Sequence, residues 1–384
     1  MRIDSVDGLR AIAVVLVAIY HFDDRLMPGG FIGVDVFFVV SGYLVTALLL
    51  AERDREGSID LLAFYRRRAR RLWAAAWLVL GVIACAGLFG TWNPDVQAGL
   101  PGDTLAAFAH IENYWVLHHG GYLRQFGGDS PVRHYWSLSL EEQFYFVWPV
   151  VTIVLLWLGR RLARRVRMQR RIALGVLAAM GAVSIWWALG ASPADAYLDA
   201  RSRAVALVIG AALAWIVAPA APGSGILAPR SAAPGVRRAV AAWAVAGAVV
   251  LTVVCVVSSP EDDHLRRGGF ALVAVAAAGI VLAAMWWGAG TPLAHPSMVW
   301  LGRRSYGVYL IHWPLIVALG PSRSWWLSVP VVVVGSLGGA ALLYRWVEQP
   351  MIHRRAGRGS CGEPRPHWRS SRCRRSWSPV RRRR

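Results

Sequence analysis

The spacing of apolar runs constrains this chain more than any other feature. Ten stretches, near 8–22, 31–50, 72–90, 143–158, 172–190, 203–218, 238–257, 268–288, 305–320 and 327–346, approach the ~20 apolar residues of a membrane crossing. In hydrocarbon every backbone polar group has to be satisfied by the chain itself, which leaves helices or a closed barrel. Runs this long and continuous indicate helices. The expected fold is an all-α polytopic membrane protein, a bundle of about ten transmembrane helices with the lipid bilayer as its first partner. An eleventh stretch, 104–117, starts apolar but carries His110, Glu112 and Asn113. It is expected to be re-entrant or interfacial.

Charge fixes the expected orientation. The formal net charge is +20, and all 42 basic residues are arginine. Such an excess raises nucleic acid as a partner, but its placement argues against it. With the N-terminus inside, the clusters at 51–71 and 159–171 and the basic end after 346 all fall on one side, as the positive-inside rule requires. Making 104–117 a crossing would put most of them outside. The expectation is a multi-pass protein of the inner or plasma membrane with both termini cytoplasmic and no nucleic-acid partner. Cys85 and Cys255 fall in apolar spans and Cys361 and Cys373 in the basic end, so no disulfide framework is expected. The N-terminus lacks a cleavable signal pattern. Residues 219–236, rich in Pro, Ala and Gly, read as a cytoplasmic linker without chemistry. Residues 351–384 read as a basic, disordered tail, either a binder of anionic headgroups or an altered terminus.

Two ionisable residues interrupt the first apolar run. Arg10 and His21 are eleven positions apart, which brings a helix back to within ~20° of the same face about 16 Å further on. Groups at such depth usually face a cavity or a partner; the alternative is that Arg10 snorkels to one interface while His21 rests at the other. The short loop after His21 makes the first two spans antiparallel neighbours, so Asp35 shares its depth. A carboxylate beside an imidazole fixes its tautomer and suits it to act as a general base, although a structural Asp–His pair fits the same spacing. Ser41 and Gly42 read as close helix packing.

Arg66, Arg67, Arg68, Arg70 and Arg71 crowd the entry of the third span. Arg68 and Arg71 share a helical face and suit a phosphate clamp, while positive-inside alone also accounts for arginines there. The densest polar and aromatic run is 133–145, holding His134, Trp136, Ser139, Glu141 and Glu142. Ser139 and Glu142 have the spacing of a capping box opening a helix at 143. Aromatic faces mixed with acids and amides suit a sugar, and interfacial belt aromatics are the competing account. No phosphate-cradling Gly-rich loop with lysine, no HExxH, no paired CxxC and no nucleophile elbow is present, so no metal site is expected.

Six stretches in order, DGLR at 7–10 running to His21, GVDVFFVVSGY at 33–43, FYRRRARR at 64–71, WSLSLEEQFY at 136–145, SYGVYLIHWP at 305–314 and YRWVEQP at 344–350, together resemble the acyltransferase-3 family of integral-membrane O-acyltransferases. The resemblance implies ten helices, a membrane-embedded acyltransferase domain over 1–350, and transfer of an acyl group from acyl-CoA, usually acetyl-CoA, to a carbohydrate hydroxyl. Acetyl-CoA enters as a co-substrate; no permanently bound cofactor is expected. By position, Arg10 and His21 match the family's Arg-x10-His pair, Arg68 and Arg71 its Arg-x-x-Arg pair, and Glu141 and Glu142 its acidic outer motif. Ala74 departs from a proline after the basic run. Many relatives carry an esterase-like domain after the last span, where this chain has the basic tail.

The resulting expectation assigns catalysis to His21, Asp35, Glu141 and Glu142, with Asp35 orienting His21. Arg10, Arg68 and Arg71 would bind the CoA phosphates. His134, Trp136 and Ser139 would bind the acceptor, a cell-envelope carbohydrate or a glycosylated small molecule. The alternative is a polytopic transporter or flippase of a lipid-linked sugar, against which the lack of a half-to-half repeat weighs.

Overall fold

The computed structural model describes residues 3–119, 130–217, 233–288, 290–320 and 324–353, and every structural statement below concerns these. They form helices and no strand. Ten helices occupy the ten apolar runs: α1 (Asp4–Phe22), α2 (Gly33–Glu56), α3 (Leu61–Leu88), α6 (Tyr135–Leu162), α7 (Val166–Gly190), α9 (Ala200–Val217), α10 (Pro234–Val257), α11 (Phe270–Trp287), α12 (Pro296–Leu319) and α13 (Trp325–Leu343). Short helices fill the connections: α4 (Pro94–Phe108), α5 (Glu112–His119), α8 (Pro193–Leu198) and α14 (Gln349–His353). Among the described residues nine helices are long and apolar enough to cross a membrane; α12, which carries Arg303, Arg304 and His312, is not one of them. Most of the linker and all of the tail beyond His353 lie outside the described residues.

The stretch at 104–117 is two helices rather than a crossing. α4 stops because His110 adopts φ 57°, with His110 N–H bonding to Ala107 and Ile111 N–H to Ala106. That is the Schellman stop, a position usually held by glycine. α5 then opens at Glu112, whose N–H donates to Ser139 Oγ at 3.2 Å. The capping box expected from Ser139 and Glu142 does not form. α6 starts eight residues earlier than 143, at Tyr135, so Ser139 is interior to α6 and serves the start of α5 instead.

Two packing relationships position the site. α1 and α12 run side by side in the same direction: Gly302 sits against the Asp7 carbonyl near their starts, and His312 meets His21 further along. α2 and α9 approach closely at Gly42 and Gly210. A Cβ on Gly42 would lie 2.0 Å from the Leu207 carbonyl oxygen, and one on Gly210 would lie 2.1 Å from that of Val39. Small residues permit this approach, and the contact is how helices associate where lipid supplies no hydrophobic drive. The close packing read at Gly42 is therefore present.

The bundle has two chemically different ends. At the arginine-rich end, α2 stops at Gly57 with φ 76°. Asp60 then caps α3 by accepting from Ala63 N–H at 2.9 Å. Glu52 fastens this hairpin, accepting from Asp60 N–H at 3.0 Å and from Arg67 at 2.7 Å. At the histidine end, α1 stops after His21 and Phe22, and α6 opens beside it.

Candidate active site

Three histidines from three parts of the chain meet at one level. His21, at the end of α1, has Nδ1 2.8 Å from Nε2 of His312 on α12, with the ring planes 10° apart. The ring of His134, just before α6, stands edge-on to His312 with centroids 5.9 Å apart. Tyr309, one turn before His312, touches both rings at 5.4 and 5.5 Å. Trp313 packs on His21 at 4.8 Å and ties its own Nε1–H to the Ser130 carbonyl at 2.8 Å.

The hydrogen bonds decide where the protons sit. His312 Nδ1 is 3.1 Å from the Val308 carbonyl oxygen, which can only accept. Nδ1 therefore carries a proton, and Nε2 of the neutral ring is an acceptor. Facing that acceptor, His21 Nδ1 has to donate. In the neutral His21 ring this leaves Nε2 as the basic nitrogen, the atom a general base uses.

The expected His21–Asp35 pair is not formed. Asp35 is wholly buried and bound by Arg203 of α9, Oδ2 to Nη2 at 2.8 Å. Its other oxygen, Oδ1, has no hydrogen-bond partner. Arg203 stacks its guanidinium on the Phe270 ring at 3.9 Å, so the pair bridges α2 and α9 beside an aromatic wall of α11. A buried carboxylate binds a permanent cation in preference to a neutral imidazole. Asp35 and His21 share a depth, but helix rotation aims Asp35 at α9. The residue that meets His21 is His312 rather than Asp35.

A cavity of about 150 Å3 lies along α2, touching it from Val34 to Leu48. The fourteen residue steps between them correspond to about 21 Å of helix. Arg10, Arg68 and Arg71 line it at one end, and Ser137 and Tyr309 line it toward the other. A second cavity, of about 410 Å3, shares Leu48, Arg68 and Arg71 and adds Glu52, Arg55 and Arg67. The expected convergence of Arg10 with Arg68 and Arg71 is present, and Arg67 turns away to Glu52. Arg68 lies over the Tyr145 ring at 4.7 Å. Tyr309 belongs to both assemblies. It lines the cavity, and its hydroxyl holds the His134 carbonyl at 3.0 Å and Ser137 Oγ at 2.6 Å.

The two glutamates part company, as neighbours on a helix do. Glu141 lines the cavity, where Oε1 accepts from Ser41 Oγ at 2.8 Å and Oε2 accepts from Tyr145 at 3.3 Å. Glu142 points at α3 and accepts from Trp73 Nε1–H at 2.9 Å. Trp136 is buried between Phe38 and Tyr197, and Ser139 is engaged by α5, so neither lines the cavity. Ser41, read only as packing, contributes its hydroxyl to the cavity. Outside the spans, Glu112 is fully buried with neither carboxylate oxygen hydrogen-bonded. Burial, reinforced by the charge of Asp103, pushes its carboxyl up to about 10.

His312, Tyr309 and Arg203 are the site residues that sequence reasoning passed over. His312 did carry a signal, as an ionisable residue inside an apolar run. Arg203 sat at the edge of one.

A two-ended bundle whose cationic cavity runs to Tyr309, beside a part-buried imidazole pair, is an architecture suited to a membrane-embedded transferase. Residues 3–345 match the family model described as an acyltransferase domain, and the chain belongs to that family. It is 32% identical over 377 residues to the peptidoglycan O-acetyltransferase OatA of Listeria monocytogenes, covering 91% of this chain and 56% of that one. It is 33% identical to the putative peptidoglycan O-acetyltransferase YrhL of Bacillus subtilis, covering 91% and 55%. It is 30% identical to the O-acetyltransferase OatA of Staphylococcus aureus, covering 90% and 57%. The chain thus spans just over half the length of these curated relatives. No solved structure matches it.

Proposed function

We propose that the chain is a membrane O-acyltransferase that moves an acyl group, acetyl in the simplest case, from acyl-CoA to a hydroxyl of a cell-envelope carbohydrate. The observation carrying this reading is the cavity along α2, which runs from three arginines at one end to Tyr309 at the other, whose ring packs against His312 and His134. Arg10, Arg68 and Arg71 hold the donor phosphates at the cytoplasmic side, where positive-inside places the basic loops. The cavity admits a slender arm and brings its thioester toward His21. The acceptor arrives from the opposite side. The names of the relatives favour peptidoglycan as its class.

Each group then has one task. His21 Nε2 takes the proton of the acceptor hydroxyl as its oxygen attacks the thioester carbonyl carbon. The C–S bond breaks, and the imidazolium returns the proton to the leaving thiolate. His312 holds His21 in the required tautomer throughout. Asp35 fixes α2 against α9 by way of Arg203, and Glu141 with Ser41 and Tyr145 gives the donor arm a polar wall.

Sided vesicles test the reading. Protein of known orientation is supplied with acetyl-labelled acetyl-CoA on one face and soluble muropeptides on the other. Label moves to the muropeptide only when acetyl-CoA meets the arginine end. Equal transfer with acetyl-CoA at the histidine end contradicts the assignment.

A further inference from the structure

We propose that His134 is a catalytic residue for this transfer, donating a ring N–H to the carbonyl oxygen as it becomes an oxyanion. The inference rests on the acyltransferase reading and adds a group to it. Every acyl transfer from a thioester passes through a tetrahedral species with negative charge on that oxygen, and preorganised donors there supply a large part of the rate. Soluble enzymes often use backbone amides. In a helical bundle most of those amides are committed within the helices. Even at the start of α6, Tyr135 N–H bonds to the Val132 carbonyl and Trp136 N–H to that of Arg133. The side chains are then the next candidates.

The side chains around His312 narrow the choice. His312 Nδ1–H donates to Val308, His21 Nδ1–H to His312, Trp313 Nε1–H to Ser130 and Tyr309 O–H to the His134 carbonyl. His134 differs from all of them. It is 1% exposed, and neither ring nitrogen makes a hydrogen bond of good geometry, although the Leu310 backbone stands close enough to interact with the ring. A buried imidazole always has one N–H to give and one lone pair to fill, so leaving both without a well-formed bond is unfavourable for folding. Its backbone is nonetheless held firmly, with the carbonyl bonded by Tyr309 and the chain turning directly into α6. A rigid donor without a well-formed hydrogen bond in the resting protein, edge-on to His312, is arranged for a group that arrives with the substrate.

Two substitutions in the full-length protein test this, in proteoliposomes with acetyl-CoA, muropeptide acceptor and colorimetric detection of released thiol. His134→Leu removes the donor at a position where neither nitrogen makes a well-formed hydrogen bond, so thermal stability is retained. Its kcat falls on the order of 10²–10³-fold, with coenzyme A affinity and acceptor KM within about threefold of wild type. His134→Gln restores an N–H and recovers part of the loss. A His134→Leu protein with wild-type kcat overturns the inference while leaving His21 in place. A raised acceptor KM with kcat unchanged also overturns it, because that result describes binding. If wild type releases no thiol in this assay, the acyl-CoA reading fails and the inference falls with it.

Discussion

His21 Nδ1 donates to His312 Nε2 across 2.8 Å, and the two rings lie nearly parallel. The donation is directional because the Val308 carbonyl fixes the proton on the far side of His312. A chain of two hydrogen bonds therefore determines which nitrogen of His21 is basic. Replacing His312 with leucine removes the acceptor and lets the His21 ring turn or change tautomer. The expected loss in kcat is on the order of 10²-fold with little change in either KM. His312→Gln, whose amide oxygen can accept, retains more activity than leucine. Equal loss in both variants would point to packing alone.

Asp35 and Arg203 are expected to behave as a structural pair. Asp35→Asn leaves a buried guanidinium without its counter-charge and costs about 3–5 kcal/mol of stability. Replacing both partners with apolar residues, Asp35→Leu with Arg203→Met, restores stability, since a buried pair often breaks even against hydrocarbon. The doubly substituted protein is expected to remain active. Thermal unfolding and turnover measured together check this; a stable but inactive double variant would return Asp35 to the catalytic group.

The arginines of α3 divide by direction. Arg68→Ala and Arg71→Ala each raise the KM for acetyl-CoA roughly tenfold, the worth of a charge-assisted hydrogen bond. The increase shrinks at high salt as the wild-type advantage is screened. Arg66→Ala, outside both cavity linings, leaves the KM unchanged. Steady-state kinetics at two ionic strengths read all three.

Glu112 sets a pH dependence of stability. Burial raises its folded-state value to about 10, against about 4.3 for an ordinary glutamate. The folded state therefore holds the proton more tightly than the unfolded chain. Stability from this group is fully present below about 4.3 and is lost as pH rises toward 10. Glu112→Gln, which mimics the protonated form, is accordingly more thermostable than wild type at pH 8. The gap widens with pH across that window. Melting curves at pH 6, 7 and 8, as about three points inside the window, suffice; a constant difference would contradict the assignment.

Much of this architecture was legible because hydrophobic length and arginine placement are one-dimensional signals. Ten runs became ten helices, and 104–117 became a pair of short ones broken at His110. The eleven-residue spacing of Arg10 and His21, and the three-residue spacing of Arg68 and Arg71, also carried over, since each pair lies on one helix. What failed to carry over lies between helices. Asp35 shares a depth with His21, but depth does not give rotation, and the structure turns it toward Arg203. The choice of partner for His21 depends on α12 packing along α1, a contact between residues 291 positions apart. Ser139 was misread because α6 begins eight residues before its apolar run does, which moved an expected cap into a helix interior.

The most direct test of the account is single-turnover transfer of labelled acetyl from acetyl-CoA to muropeptide by purified His21→Gln protein in vesicles. The account predicts a folded variant that binds coenzyme A normally and transfers on the order of 10²–10⁴-fold more slowly than wild type. Transfer at close to the wild-type rate by that folded variant would contradict it.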